Sequence, residues 1–150
     1  MQLALRKTPP SGATLWQRFA CFVIKMRLVS QYCHGGVVID GALYHATSSR
    51  GLHKLEPEEW DLARWDLIEI DADKDRVLAT FAKHQGAKYD WISLLAFVGL
   101  PVRDGKRFYC FEWCWLAATG EKPRKRITPE MLITTSLDDR ITRFFRPASA

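Results

Sequence analysis

Three side chains of this 150-residue chain, one cysteine and two histidines, could together carry out nucleophilic chemistry. A cysteine attacks a carbonyl carbon as its thiolate, and an imidazole can accept the thiol proton and later deliver it to a leaving group. His34 and His45 flank the turn signal Asp40-Gly41, and Cys110 lies far down the chain at the start of an apolar helical pattern. We therefore predict Cys110 as nucleophile, His34 as base and His45 as the group that orients His34.

The stretch 31–53 predicts the hairpin that would bring the two histidines together. Asp40-Gly41 is a strong two-residue turn signal, and it stands between two short apolar runs. Pairing across this turn sets His45 opposite Gly36 or its neighbours, with His34 one or two residues farther along the partner strand. The two imidazoles are therefore expected to share one site.

The segment from Phe108 to Gly120 predicts a helix with Cys110 in or just before its first turn. A helix N-terminus favours negative charge and thus a thiolate, and the Cys110 N–H could form half of an oxyanion hole. Glu112 could stabilise the first helical turn or form a buried link to a basic group. Direct contact between Glu112 and Cys110 would instead raise the thiol pKa.

The order of the other elements predicts an α+β fold, in which an antiparallel sheet packs against helices. The chain is short enough for a single domain over residues 1–150. The expected strands and helices, in chain order, are a strand at 2–6, a helix at 15–28, the hairpin, a strand at 51–55, a helical turn after Pro57, a strand at 65–70, helices at 74–85 and 91–98, a turn at 103–106, the helix of the segment from Phe108 to Gly120, a short helix at 128–132 and a strand at 140–145.

The helix at 15–28 has an apolar face and three cations, Arg18, Lys25 and Arg27, that fall largely on its other side. Thr14 is a plausible N-cap for it. We expect this helix to pack on the sheet, and the alternative is a basic amphipathic helix at a membrane surface. The apolar residues that recur at helical spacing are Leu15, Trp16, Phe19, Phe22, Val23 and Met26.

Composition is that of an ordinary globular protein, with 47% apolar and 26% charged residues and a net charge of +5. It indicates no clear nucleic-acid partner. One tight basic group is expected to be a solvated loop or to make weak contact with an anionic surface. This group comprises Lys122, Arg124, Lys125 and Arg126.

The four cysteines include no CxxC pair, and their number and spacing do not suggest a disulfide scaffold. A reducing compartment is the default, and the lack of a secretory signal or transmembrane stretch makes us expect a cytoplasmic location. Cys21 and Cys114 are expected in the core, and Cys33 is expected to point to the sheet face opposite His34. His53 and His84 are expected at the surface.

Four short motifs resemble those of the circularly permuted papain-like hydrolases of the NlpC superfamily, which include the lecithin:retinol acyltransferase-like branch. Cys33–Gly41 (CHGGVVIDG) resembles the family strand Ser/Thr-His-x-Gly followed by β-branched residues, and Leu43–Ala46 is similar to the strand with the second histidine. Tyr109–Glu112 (YCFE) resembles the nucleophile motif Tyr/Phe-Cys-Ser-Glu, and Gly86–Trp91 (GAKYDW) is similar to the segment between them. Permutation explains why the histidines precede the cysteine.

The resemblance implies a permuted papain-like architecture and a cysteine hydrolase of the amidase or peptidase type, from a bacterium or phage, that acts on cell-wall peptides without a cofactor or metal. It implies the same triad of Cys110, His34 and His45. Position 33 is Cys where Ser or Thr is usual, and position 111 is Phe where Ser is usual, so a polar contact from that serine is lost. The residues expected to contact the substrate are Tyr89, Tyr109 and Glu112.

Two further functions stay open on the sequence. The enzyme could be a thiol acyltransferase or a lipid or thioester hydrolase, and a lipid substrate would favour a site lined by the helix at 15–28. The chain could also be a non-catalytic binding or structural module on the same fold. A variant of the module is a tetrahedral zinc site built from Cys110, Cys114, His34 and His45.

Overall fold

The computed structural model describes residues 1–90, 107–123 and 126–144. The expected α+β class is confirmed, since the described chain forms one antiparallel sheet with helices packed against it. The helix predicted at 91–98, the turn predicted at 103–106, and Arg124 and Lys125 of the basic group lie outside the described residues. The helices are α1 (Leu15–Leu28), α2 (Lys74–His84), α3 (Cys110–Thr119) and α4 (Pro129–Phe144); short 3₁₀ turns lie at Pro57–Glu59 and Leu62–Arg64.

The sheet has five strands in the order β4-β3-β2-β1-β5, and each neighbouring pair is antiparallel. Its centre is the predicted hairpin, closed by Asp40 and Gly41 with φ angles of 50° and 82°. Both values are positive, as a tight hairpin turn of this length requires. The strands are β1 (Gln2–Arg6), β2 (His34–Ile39), β3 (Ala42–Thr47), β4 (Gly51–Leu55) and β5 (Asp66–Glu69).

One face of the sheet forms the main core with α2 and α3. Trp113 of α3 is fully buried there, and its indole N–H donates to the Tyr44 carbonyl of β3 at 2.9 Å. Gly35 of β2 lets α3 approach closely, because a Cβ at Gly35 would lie 2.8 Å from Cε1 of Phe111. These contacts fix the start of α3, and thus Cys110, against β2.

The other face carries the histidines. Because side chains alternate along a strand, the antiparallel partners Arg6 and His34, Gly36 and His45, and His45 and His53 all point to this second face. The predicted pairing of His45 with Gly36 is confirmed. The register therefore aligns three imidazoles across three neighbouring strands.

The strand predicted at 140–145 is wrong, whereas the helix predicted to begin at Thr128-Pro129 is present and longer than expected. A single helix, α4, covers both the short helix predicted at 128–132 and most of the strand predicted at 140–145. No proline or glycine interrupts the sequence between Pro129 and Pro147. Leu132 and Ser136, four residues apart, are both buried, so the helix continues along its core-facing side.

Helix α1 begins and ends where the sequence predicts, with Thr14 and Gln17 forming a capping box. The prediction that its wide apolar face packs on the sheet is wrong. Only Cys21, Ile24 and Leu28 are buried, and the large apolar side chains on the opposite side are exposed. None of the helices in the described ranges has the length and apolar character that crossing a bilayer requires.

Cys21 and Cys33 form a disulfide that joins α1 to the start of β2, and the sequence analysis did not predict it. Their Cα atoms are 5.0 Å apart, within the range that a disulfide spans. Cys33 lies just before β2, with its N–H donating to the Arg6 carbonyl, and its side chain belongs to the main core, on the face opposite His34 as expected. Cys21 is thus not a free core thiol; Cys110 and Cys114 are free and buried.

Candidate active site

Three histidines form a hydrogen-bonded chain across the second sheet face, here called the histidine chain: His34, His45 and His53. His34 Nε2 lies 2.9 Å from His45 Nδ1, and His45 Nε2 lies 3.1 Å from His53 Nε2. His53 Nδ1 lies 2.9 Å from the carbonyl oxygen of Gly51. The sequence predicted the first pair, whereas His53 was expected at the surface and is instead half-buried in the site.

The Gly51 carbonyl fixes the tautomer of every member of the chain. A carbonyl oxygen only accepts, so His53 carries its proton on Nδ1, and its Nε2 must accept from His45. His45 then carries its proton on Nε2, and its Nδ1 accepts from His34 Nε2. The neutral His34 ring is left with its lone pair on Nδ1, which the described residues engage in no hydrogen bond. His34 Nδ1 is therefore the basic atom of the site.

The surroundings keep this chain uncharged. Burial, then the neighbouring imidazole of His45 and the cation of Arg6, lower the pKa of His34 well below its ordinary value of 6.5. Burial, then His53 and Arg6, lower the pKa of His45 to about 3. The ring of Trp65 lies 5.6 Å from that of His34 and helps to exclude water. Both imidazoles are thus neutral at physiological pH.

We expect the protein to lose stability steeply as the pH falls below 6.5. Since the folded-state pKa values of His34 and His45 lie below the unfolded value, their contribution is fully present above pH 6.5 and is lost as the pH falls below it. His45, with a folded-state pKa of about 3, alone then costs about 2 kcal/mol of unfolding free energy between pH 7 and pH 5, and His34 adds to this loss. Urea unfolding at pH 7, 6 and 5 measures the loss, and a His45→Gln variant should reduce it by about 2 kcal/mol. An unfolding free energy that is flat over this interval would contradict the neutral histidine chain.

Cys110 is the first residue of α3 and is completely buried. Burial raises the pKa of its thiol to about 11, against the opposing effect of hydrogen bonds from the backbone of Gly35, from Tyr89 and from the backbone of Phe111. The expectation that the helix N-terminus produces a resting thiolate is therefore wrong for this state, because desolvation outweighs the helix end. The resting pair is a neutral thiol and a neutral imidazole.

Cys110 belongs to the main core beside β2, whereas the His34 side chain lies on the second face of the sheet. Gly35, the residue after His34, hydrogen-bonds to the thiol through its backbone. The described residues show no hydrogen bond between Sγ of Cys110 and the His34 ring. The thiol therefore lies beside the residue that follows His34, and proton transfer requires a rearrangement that brings Sγ and the imidazole together.

A cleft of about 460 Å³ opens beside the histidine chain. His34, His45 and Tyr89 line it, whereas Cys110 does not. Tyr89 lies between the cleft and the buried thiol of Cys110, because its hydroxyl donates to Sγ of Cys110 at 3.9 Å. The remaining walls come from α1, from the loops after β1 and β3, and from the segment between β4 and β5, including Trp60, Arg64 and Trp65.

Of the three residues predicted to contact a substrate, only Tyr89 lines the cleft. Tyr109 is buried, where its hydroxyl donates to the carbonyl of Ile127 at 3.0 Å and accepts from the Ile127 N–H at 2.8 Å. Glu112 accepts the N–H of Tyr109 at 3.3 Å, which caps the first turn of α3. Tyr109 and Glu112 thus position the helix that carries Cys110.

Arg6 is a cleft residue that the sequence analysis did not single out. It is the antiparallel partner of His34, and its guanidinium lies 4.9 Å from the centre of the Trp65 ring. Burial and then Arg64 lower its pKa to about 10, while Cys110 acts to raise it. Arg6 therefore stays protonated and, by the same coupling, favours a negative charge on Cys110. The alternation Gln2, Ala4, Arg6 could have placed it on the face of the histidines.

The zinc site considered as an alternative requires Cys114 beside the histidines. Cys114 lies instead on the core side of β2, since its Sγ would be 3.3 Å from a Cβ at Gly35. The described ranges contain no group of three or more His, Cys, Asp or Glu side chains placed to hold a metal ion. The rings of the histidine chain bind one another and a carbonyl.

Comparisons of the chain with family models, with curated proteins and with solved structures found no match.

Proposed function

We propose that this protein is a cysteine hydrolase that cleaves an amide, thioester or ester through an acyl-enzyme. Sγ of Cys110 attacks the carbonyl carbon while its proton passes to Nδ1 of His34, and the imidazolium returns that proton to the departing amine, thiol or alcohol. Water, activated by the same nitrogen, then attacks the thioester and releases the acid and the free thiol. His45 and His53 hold His34 in the reactive tautomer.

The observation that carries this proposal is the hydrogen-bonded chain of His34, His45 and His53. A chain of three imidazoles that ends on a carbonyl leaves one unprotonated nitrogen, on the residue next to the glycine that hydrogen-bonds to Cys110. The order of the motifs supports the same reading and a permuted papain-like architecture, with cell-wall peptides of a bacterium or phage as a substrate class.

A lipid or thioester substrate, or transfer of the acyl group to an acceptor other than water, is the second candidate. Part of the cleft wall is apolar and includes Ile24, Leu55, Trp60 and Trp65, whereas Arg6, Glu59, Asp61 and Arg64 line other parts with charge. The apolar part suits an acyl chain. Helix α1 contributes to those walls, as a lipid-active enzyme would require.

The non-catalytic module is favoured by one observation, the burial of Cys110. A thiol with a pKa of about 11 and no exposed surface does not react in that state. The enzyme therefore requires that substrate entry displaces Tyr89 and opens a path from the cleft to Sγ. The two proposals differ in whether that path opens.

The cytoplasmic location predicted from the sequence stays a prediction, and the Cys21–Cys33 disulfide favours an oxidising compartment instead. Weak contact of the basic group with an anionic surface also stays a prediction. Of that group, Lys122 places its ammonium 5.7 Å from the centre of the Phe108 ring.

The test is a panel of chromogenic anilides, thioesters and esters with short and long acyl chains, assayed with the intact protein at pH 7 to 9. We expect turnover of at least one class, with an initial burst of one leaving group per protein molecule as Cys110 is acylated. Iodoacetamide added during turnover should inactivate the enzyme progressively, because Cys110 can be alkylated each time that deacylation frees its thiol. An absence of turnover across the panel would favour the non-catalytic module.

A further inference from the structure

Helix α1 presents a continuous apolar stripe to solvent, here called the exposed α1 face. Leu15, Phe19, Phe22 and Met26 follow one another at spacings of four, three and four residues, so they lie along one side of the helix. They are 85%, 55%, 58% and 65% exposed. Trp16, which is 61% exposed, extends the face with its ring 5.8 Å from that of Phe19.

The hydrophobic core does not include the residues of the exposed α1 face. Cys21, Ile24 and Leu28 are the buried residues of α1, and they lie on the opposite side of the helix. The disulfide between Cys21 and Cys33 also ties that buried side to β2. The aromatic and aliphatic residues of the exposed α1 face are therefore available to contact another surface without unfolding the helix.

Cations border the exposed α1 face. On a helical projection, Arg18 and Lys25 fall side by side at one edge of the stripe, and α1 contains no Asp or Glu from Leu15 to Leu28. An apolar stripe with aromatic residues and flanking cations is the chemistry of a helix that lies in a membrane interface. A second copy of α1 would offer only further cations to these residues, so self-association gains no charge complementarity.

We propose that the exposed α1 face docks on an anionic phospholipid bilayer, with α1 lying along its surface. The apolar side chains enter the boundary between headgroups and acyl chains, and Arg18 and Lys25 reach the lipid phosphates. Gln17, Ala20, Cys21 and Ile24, on the other side of α1, line the cleft. Docking would therefore hold the cleft about one helix diameter, roughly 10 Å, from the bilayer.

The test is co-sedimentation of the intact protein with vesicles of phosphatidylcholine alone or with 30% phosphatidylglycerol. We expect binding to the anionic vesicles, and a loss of roughly tenfold or more in the partition coefficient for the Phe19→Ser/Phe22→Ser variant. The matched control is Leu62→Ser, which changes a 54% exposed apolar residue outside α1 and should leave binding within twofold.

A second pair of variants tests how much the positive charges of α1 contribute to vesicle binding. Arg18→Gln/Lys25→Gln should weaken binding to anionic vesicles by roughly tenfold or more and abolish most of its salt dependence. Lys83→Gln/Lys88→Gln removes the same charge from exposed positions outside α1 and should have a small effect. Quenching of tryptophan fluorescence by brominated lipids should occur in wild type and fall in Trp16→Phe.

Several results would overturn the proposal. One is absence of vesicle binding, and another is binding that the Phe19→Ser/Phe22→Ser variant retains. A third is a concentration-dependent dimer without lipid that the same variant abolishes, which would assign the face to a second copy. The proposal goes beyond the hydrolase reaction and does not rest on it. Cys110→Ala should bind vesicles as wild type does, so failure of one proposal leaves the other intact.

Discussion

Replacing Cys110 with alanine is expected to lower kcat/KM for every substrate that the protein turns over by roughly 10⁴-fold or more. The expectation follows from the mechanism, because the acyl group is carried as a thioester on Sγ of Cys110. Steady-state assays at substrate concentrations well below KM measure the change. The burst of leaving group should disappear together with the steady-state rate.

Cys114→Ala provides a closely matched control. Cys114 lies one turn after Cys110 in α3, and both are free, fully buried cysteines. Both substitutions remove the same atom from the same helix, so any loss of packing should be similar. Cys114→Ala should retain kcat/KM within a few-fold, and urea unfolding should give both variants similar midpoints. Equal losses of activity in the two variants would indicate a packing role for Cys110.

Replacing His34 with alanine should have the second large effect. We expect kcat to fall by roughly 10²–10⁴-fold, which is the usual contribution of general-base catalysis. The imidazole of His34 is the end of the histidine chain and carries the unprotonated nitrogen. Its removal leaves Cys110 with a thiol pKa of about 11 and no group to accept the proton. The residual rate of His34→Ala should therefore rise with pH up to the limit of stability, whereas the wild-type rate should level off.

His84→Ala and His53→Ala test whether the loss of activity is specific to His34 or follows from removing any histidine. His84 belongs to α2 and packs on Phe108, outside the cleft, so its substitution should leave kcat within twofold. His53→Ala keeps the base but removes the group that fixes the tautomers of His45 and His34, so kcat should fall by less than in His34→Ala with KM unchanged. If His34→Ala kept wild-type activity, the assigned base would be wrong.

The local signals that predicted the site were strong and short-range. The Asp40-Gly41 turn fixed the register between β2 and β3, and that register alone puts His45 across from Gly36. Thr14 and Gly120 marked helix ends that the structure confirms. Each of these depends on the conformational preferences of a few neighbouring residues, which sequence contains directly.

The features that the sequence did not predict depend on long-range packing. His53 enters the site only because β4 pairs with β3 in a register that also points the Gly51 carbonyl at its ring. The exposure of Phe22, like the disulfide of Cys21, follows from which side of α1 meets the sheet. The periodicity of α1 places apolar residues on two sides of the helix and does not indicate which side packs against the core. The length of α4 was missed because alternation over six residues resembles a strand.

The most direct test of the central claim is to detect, by mass spectrometry, the acyl group that Cys110 carries during turnover. The intact protein, treated with an activated acyl ester or thioester and quenched in acid, would be digested and analysed by peptide mass spectrometry. The account predicts one acyl group per molecule, on Cys110, released by neutral hydroxylamine as a thioester is, present in Cys114→Ala and absent in Cys110→Ala. An acyl group on Cys114 or on lysines alone, or an unmodified Cys110 in a protein that turns substrate over, would contradict it.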